Sequence, residues 1–331
     1  MYINRNYGFW MTFNWSKNPF IVGACYAASI TLVEYFFDWK VVIPWQPVSI
    51  IGIAVAFYLG FKNNSSYDRT WEARKIWGSI VNSSRTFGSA VIAFVRSRDS
   101  EEVSAIHQEM ILRHLGWLTA LRYQLRLSRK WEHTEDRIKG LYSPTICEEY
   151  YDQLDHEILQ FIPKEEFEMY KHKSNISTQI LLTQSKRLQE LKNQGYLEDF
   201  RHMELYRLIQ SFYEDQGKSE RIKNFPFPRQ YASVALWMTW VFALLIPFGM
   251  LQAFKDMGDG MLWLNVPFSA LIIWVFFLME KIGDYSENPF EGTYNDVPIT
   301  SISRTIEIDL KEMLDDATIP EPVAAVNDFL M

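Results

Sequence analysis

The 331 residues carry 33 Lys and Arg against 40 Asp and Glu, a net charge of −7, with 48% hydrophobic and 16% aromatic residues and two cysteines. That apolar and aromatic content excludes a disordered chain, and Cys25 and Cys147 are too few and too far apart for a disulfide scaffold. The acidic balance argues against a general nucleic-acid binder, which needs a clustered basic surplus to displace phosphate counterions.

The charge is unevenly placed. Between Lys62 and Pro228, 25 basic and 24 acidic residues nearly cancel, whereas from Ile282 onward 11 acidic residues face only Arg304 and Lys311. The remaining third or so of the chain is almost free of charge. A bilayer core about 30 Å thick needs about 20 predominantly apolar helical residues to cross it. Four stretches meet that length, at residues 20–37, 41–61, 232–254 and 261–279. The spacing predicts four transmembrane helices in two hairpins, closed by Asp38–Lys40 and by Lys255–Gly260. Trp39, Trp45, Trp237, Trp240 and Trp263 fall toward the span ends, as interfacial aromatic residues do.

Between the hairpins, residues 62–230 show apolar residues at helical spacing, as at Trp77, Ile80 and Val81, and no strand-like alternation. Asp99-Ser100-Glu101-Glu102 reads as the capped start of a helix running to about Leu127. A looser stretch around Thr134–Pro144 precedes expected helices near 147–161, 164–172 and 177–194, the last closed by Gly195. Another is expected from about Leu197 to Gly217. After the fourth span, Ile299, Ile302, Ile306, Leu310 and Leu314 recur every three or four residues, which predicts an amphipathic helix at 299–314 beginning near Asp296. The residues beyond it read as a tail or strap. The organisation is therefore all-α: segment 1–61 with the first two spans, a helical domain at 62–230, the second pair of spans within 231–281, and a C-terminal segment at 282–331. Arg5, Lys17, Lys62, Arg69, Arg221, Lys223, Arg229 and Lys281 cluster at one side of the spans, against Lys40 and Lys255 at the other. The positive-inside rule then puts both termini and the 62–230 domain in the cytoplasm of a multi-pass plasma (inner) membrane protein.

No nucleotide-binding glycine loop, zinc-protease motif or serine-nucleophile elbow occurs, so no enzyme activity, cofactor or metal is expected. His107 and His114 share a helix without a third ligand and read as packing residues. The informative pattern is in the second span, where Ile53, Phe57 and Phe61 recur every four residues and the polar run Lys62-Asn63-Asn64-Ser65-Ser66-Tyr67 follows. Such a stripe serves helix packing or, in a ring of subunits, forms a narrow apolar collar that gates by dewetting. Gly52, Ala54, Ala56 and Gly60 beside it let helices approach closely. Glu34, acidic at membrane depth, is expected to snorkel to the outer interface.

Three stretches together resemble the bacterial branch of the bestrophin family: Gly60–Arg85 (GFKNNSSYDRTWEARKIWGSIVNSSR), Glu220–Ala232 (ERIKNFPFPRQYA) and Ile282–Leu310 (IGDYSENPFEGTYNDVPITSISRTIEIDL). The resemblance implies a homopentameric ion channel around a central pore lined by the second span, passing small monovalent ions. It implies that Ile53, Phe57 and Phe61 form the pore neck and gate. At Gly195-Tyr196-Leu197-Glu198-Asp199-Phe200 it implies that Phe200 forms a cytosolic constriction. Animal relatives bind calcium at consecutive acids after the NPF motif, but this chain has only Glu291, Asn295 and Asp296 there, so no calcium clasp is expected. Glu287, Glu291 and Asp296 read instead as capping or solvent-facing residues. The bacterial branch implies cation conduction, and the wider family implies chloride. A membrane-anchored helical scaffold or signalling protein is the reading from another class, in which the stripe only packs.

Overall fold

A computed structural model of the chain describes residues 1–37, 43–97, 99–133, 153–294 and 296–331. The expected Asp38–Lys40 turn with Trp39, the looser stretch around Thr134–Pro144, Cys147, the start of the 147–161 helix and Asn295 lie outside the described residues. The chain is all-helical, with only isolated bridges among the described residues. It divides into two units. A span unit takes Asn4–Arg69 and Pro226–Asn288, and a polar unit takes Met1–Ile3, Thr70–Phe225 and Pro289–Met331.

In the span unit, α1 (Phe9–Phe37) and the first half of α2 (Trp45–Phe94) are joined by α7 (Arg229–Lys255) and α8 (Asn265–Tyr285), with a 3₁₀ turn at Asp259–Leu264 between the last two. These helices include four segments long and apolar enough to cross a membrane. Helix α1 starts eleven residues before the expected span, because its polar first turns carry aromatic side chains that pack: Phe13 edge-on to Trp274, and Trp15 edge-on to Tyr285. Pro19 lies inside it and has no N–H to offer the carbonyl of Trp15. The Lys281 ammonium donates to that carbonyl instead, at 2.7 Å. Gly52 of α2 meets the ring of Phe242, where an added Cβ would come within 2.6 Å, so close packing of α2 on α7 requires glycine there.

The polar unit is built around α3 (Ser100–Arg126), the most enclosed of its helices, with α4 (Lys164–Tyr170), α5 (Ile176–Asn193), α6 (Asp199–Asn224), α9 (Ile299–Met313) and the second half of α2. Asp99 caps α3 by accepting from the N–H groups of Glu101 and Glu102. Helix α5 ends as its glycine predicts: Gly195 has φ +85°, its N–H bonds Lys192 O at 3.0 Å, and the Tyr196 N–H bonds Leu191 O at 2.9 Å. The core ring cluster stacks Phe87, His114, Trp117 and Phe212 at 4.5–5.7 Å between centroids. Gly88 of α2 admits α9, since a Cβ there would sit 2.5 Å from Leu310.

One boundary needs correction and two features become definite. The second span does not end its helix: α2 continues unbroken to Phe94 through a polar run that lacks proline. Helix α9 begins at Ile299 rather than near Asp296, since Pro298 precedes it and the Asp296 side chain is committed elsewhere. Of the tail and the strap expected at the C-terminus, the bonds fit the strap: Leu330 N–H bonds Met1 O, Ile3 N–H bonds Asp328 O, and Ser301 N–H bonds Met331 O.

His114 is wholly buried, 2.9 Å from Ser84 Oγ, and burial pushes its imidazole pKa down to about 3. The unfolded chain therefore binds a proton that the folded chain refuses between about pH 6.5 and pH 3. Thermal melting in detergent should show stability at its full value above pH 6.5 and declining as pH falls toward 4. His114→Gln, which keeps a bond to Ser84 but cannot charge, should flatten that decline.

Candidate functional site

The stripe of the second span occupies one face of α2. Ile53, Phe57 and Phe61 are 71%, 74% and 65% exposed, while Val48, Val55 and Leu59 on the other face are buried against Ala235, Phe242, Ile246 and Ile273. The Phe57 and Phe61 rings lie 6.2 Å apart at 47°. Beside them a recess of about 450 Å³ is bounded by Tyr58, Ser65, Phe227 and Tyr231 as well as by both phenylalanines.

The polar run after Phe61 divides by face. Lys62 and Ser66 turn inward and are buried, and Asn64, Tyr67 and Asp68 are exposed. The Lys62 ammonium donates to Glu280 at 2.8 Å and lies 3.6 Å from Asp284. Lys62 is thus a structural cation held by α8, a role the sequence did not disclose because its partner is 218 residues away. Asp68 follows Phe61 by seven residues, two helical turns, and so falls on the same face as the stripe.

Phe200 lies in the polar unit, in the first turn of α6 just after the Gly195 turn, and is 88% exposed. Its neighbours are tied down by charge: Lys192 bonds Asp199 at 2.8 Å and holds that carboxyl below its ordinary pKa. Ile53, Phe57 and Phe61 are therefore gathered on one surface, and Phe200 is a separate exposed apolar residue of the other unit.

The acidic residues around the NPF motif neither cap helices nor face solvent, contrary to expectation. Glu287 is buried in the span unit and accepts from the Arg229 guanidinium, and Arg69 Nε donates to its carbonyl at 2.8 Å. Burial raises its pKa, with Arg229 opposing that shift. In the polar unit, Glu291 accepts from the His133 N–H at 2.7 Å. Asp296 accepts from the N–H groups of Phe290, Gly292 and Val297 at 2.6–2.8 Å and from Arg126 Nη1 at 2.6 Å. The acids are occupied by guanidinium, imidazole-side and backbone donors, and no group of metal-ligating side chains occurs among the described residues. Positive φ at Phe290 (69°) and Gly292 (86°) turns those N–H groups inward, which only a folded loop could reveal. Glu34 is likewise corrected: it is buried and paired with Lys255 of α7 rather than snorkelled. His107 Nε2 donates to Val95 O at 3.3 Å, and His114 packs in the core, so both are structural.

The sequence matches the family described as "Bacterial/Fungal Bestrophin protein" over residues 17–312. It is 27% identical over 280 residues to "Voltage-dependent anion channel-forming protein RSc3414" of Ralstonia nicotianae, covering 84% of this chain and 80% of that protein. It is 25% identical over 327 residues to "Voltage-dependent anion channel-forming protein YneE" of Escherichia coli, covering 94% and 95%. The fold matches the crystal structure of a bacterial bestrophin homologue from Klebsiella pneumoniae at a TM-score of 0.75 and 20% identity, over 91% of this chain and 98% of that one.

Removing one member of a buried ion pair strands the other charge, at a cost of about 3–5 kcal/mol. Asp296→Ala should therefore lower thermal stability and release amide-exchange protection at Phe290, Gly292 and Val297. Glu72→Ala, whose partner Arg221 is exposed, should change neither by a measurable amount.

Proposed function

The chain belongs to the bacterial and fungal bestrophin family, whose members are ion channels and not enzymes, and on that premise we propose that it assembles as a homopentamer whose central pore passes small monovalent ions across the plasma (inner) membrane. The observation that carries this reading is the open apolar face of α2. Three large side chains at membrane depth point away from their own unit's packed core while the opposite face is fully engaged. Other apolar faces of the span unit are exposed as well and lipid can cover them, but this one runs on into a carboxylate, Asp68. Around a fivefold axis the residues form stacked apolar rings, and a constriction lined that way excludes water and ions until it widens. In this reading Ile53, Phe57 and Phe61 are the neck and gate, and Phe200 narrows the cytosolic exit.

The spans cross as two hairpins with both termini cytoplasmic. Arg5, Lys17, Lys62, Arg69 and Lys281 lie at the cytoplasmic side, and Lys255 at the opposite side is neutralised by Glu34, which favours this orientation. Conduction is of cations. Asp68 supports this: it is exposed and continues the face of the stripe, whereas Lys62 is turned inward and paired. A ring of five carboxylates below the collar concentrates cations. The relatives named as voltage-dependent anion channel-forming proteins favour a second reading, an anion channel.

Purified protein in planar bilayers under a KCl gradient separates the two. The reversal potential should lie near the potassium equilibrium potential, and Asp68→Asn should lower the potassium-to-chloride permeability ratio several-fold. Reversal near the chloride potential would establish the second reading, and a protein that carries no current would overturn both.

A further inference from the structure

Away from the stripe, the span unit has a groove along α1, α7 and α8. Its volume is about 430 Å³, and its wall includes Val22, Gly23 and Tyr26 of α1, Trp240 and Leu244 of α7 and Phe277 of α8. Gly23 makes its floor, because a Cβ there would come within 3.1 Å of Ile273. The Tyr26 hydroxyl is spent on the Leu244 carbonyl at 2.9 Å, so this part of the wall has no polar group left for a ligand. Val22, Trp240 and Leu244 are exposed. One end differs: there Asn18 lines the groove and Lys17, next in sequence, is exposed.

From this we infer that the groove holds an acyl chain of an anionic phospholipid, with the lipid phosphate at Lys17 and Asn18. Two features select that occupant. The helices that form the wall are apolar and long enough to span a bilayer, so hydrocarbon or protein must fill a groove between them. The polar end is cationic, and the other nearby cation, Lys281, is committed to the Trp15 carbonyl at 2.7 Å and to the Trp15 ring at 4.3 Å. A cation at the cytoplasmic end of an apolar groove recognises a phosphodiester with a net negative headgroup better than a zwitterionic one. The inference rests on the chain being a membrane protein, and its failure would leave the channel reading untouched.

Native mass spectrometry of the full-length protein tests it, after delipidation and resupply with palmitoyl-oleoyl phosphatidylglycerol or phosphatidylcholine. Wild type should retain the glycerol lipid through a dilution that strips the choline lipid. Val22→Trp, which fills the groove from an exposed position, should reduce retention of phosphatidylglycerol several-fold, and Leu244→Trp should do the same from the facing wall. Lys17→Gln should abolish the preference between lipids while keeping chain retention. Melting curves in detergent identify any variant that misfolds. Equal retention of both lipids by wild type would overturn the inference, as would retention unchanged in both tryptophan variants. So would a change in oligomer mass in those variants with lipid unaltered, which would mean that a second copy of the chain covers the groove.

Discussion

Lys62 and Phe61 are adjacent in sequence, and a helix rotates by about 100° between adjacent residues. An ammonium group cannot be left unpaired in apolar surroundings, so Lys62 must find its partner, and Glu280 of α8 supplies it at 2.8 Å. That bond sets the rotation of α2 in the span unit. With Lys62 turned in, Phe61 is turned out, and Phe57 and Ile53 follow one and two turns earlier. Val55 and Leu59 fall on the buried side for the same reason. A buried ion pair is poor evidence of net stability, because desolvation offsets much of the attraction. Here its use is orientation: it chooses which face of an otherwise apolar helix remains open.

The same rule recurs wherever a polar group sits among apolar ones. Glu34 is matched by Lys255, and the carbonyl freed by Pro19 is matched by Lys281. In the polar unit, Arg126 meets Asp296, Lys223 meets Glu132, and Arg113 makes a two-pronged bond to Glu166 at 2.8 Å. Most of these partners are far apart in the chain, so each bond ties helices together as well as neutralising charge. The acidic segment after the NPF motif belongs to this class. Its carboxylates are already answered by protein donors, and its turn is held by backbone N–H groups folded onto Asp296.

Local pattern made much of this legible. The four spans follow from the distribution of charge, the α5 terminus from Gly195, the α3 start from Asp99, and the face of α9 from the period of Ile299, Ile306 and Leu310. The Ile53, Phe57 and Phe61 stripe was visible as a period of four, though the sequence could not say which way it faced. Its direction depends on Lys62 and Glu280, a pairing between residues more than two hundred positions apart. For the same reason Glu34 was misread as snorkelling and Glu287, Glu291 and Asp296 as solvent-facing. Acids in a hydrophilic stretch look exposed until the cations that bury them are known. That α2 runs on through Lys62–Arg69 agrees with the helical spacing after Phe61, since the run contains no residue that breaks a helix.

If ions pass along the open face of α2, a thiol placed on that face lies in their path and a charged reagent can reach it. In a background carrying Cys25→Ala and Cys147→Ala, Phe57→Cys and Leu59→Cys would each be reconstituted in bilayers and exposed to a charged, membrane-impermeant methanethiosulfonate while current is recorded. Phe57→Cys should lose current irreversibly, and Leu59→Cys, which sits on the buried face, should not change. Current unaffected at Phe57→Cys after verified labelling, or blocked equally at both positions, would contradict conduction along that face.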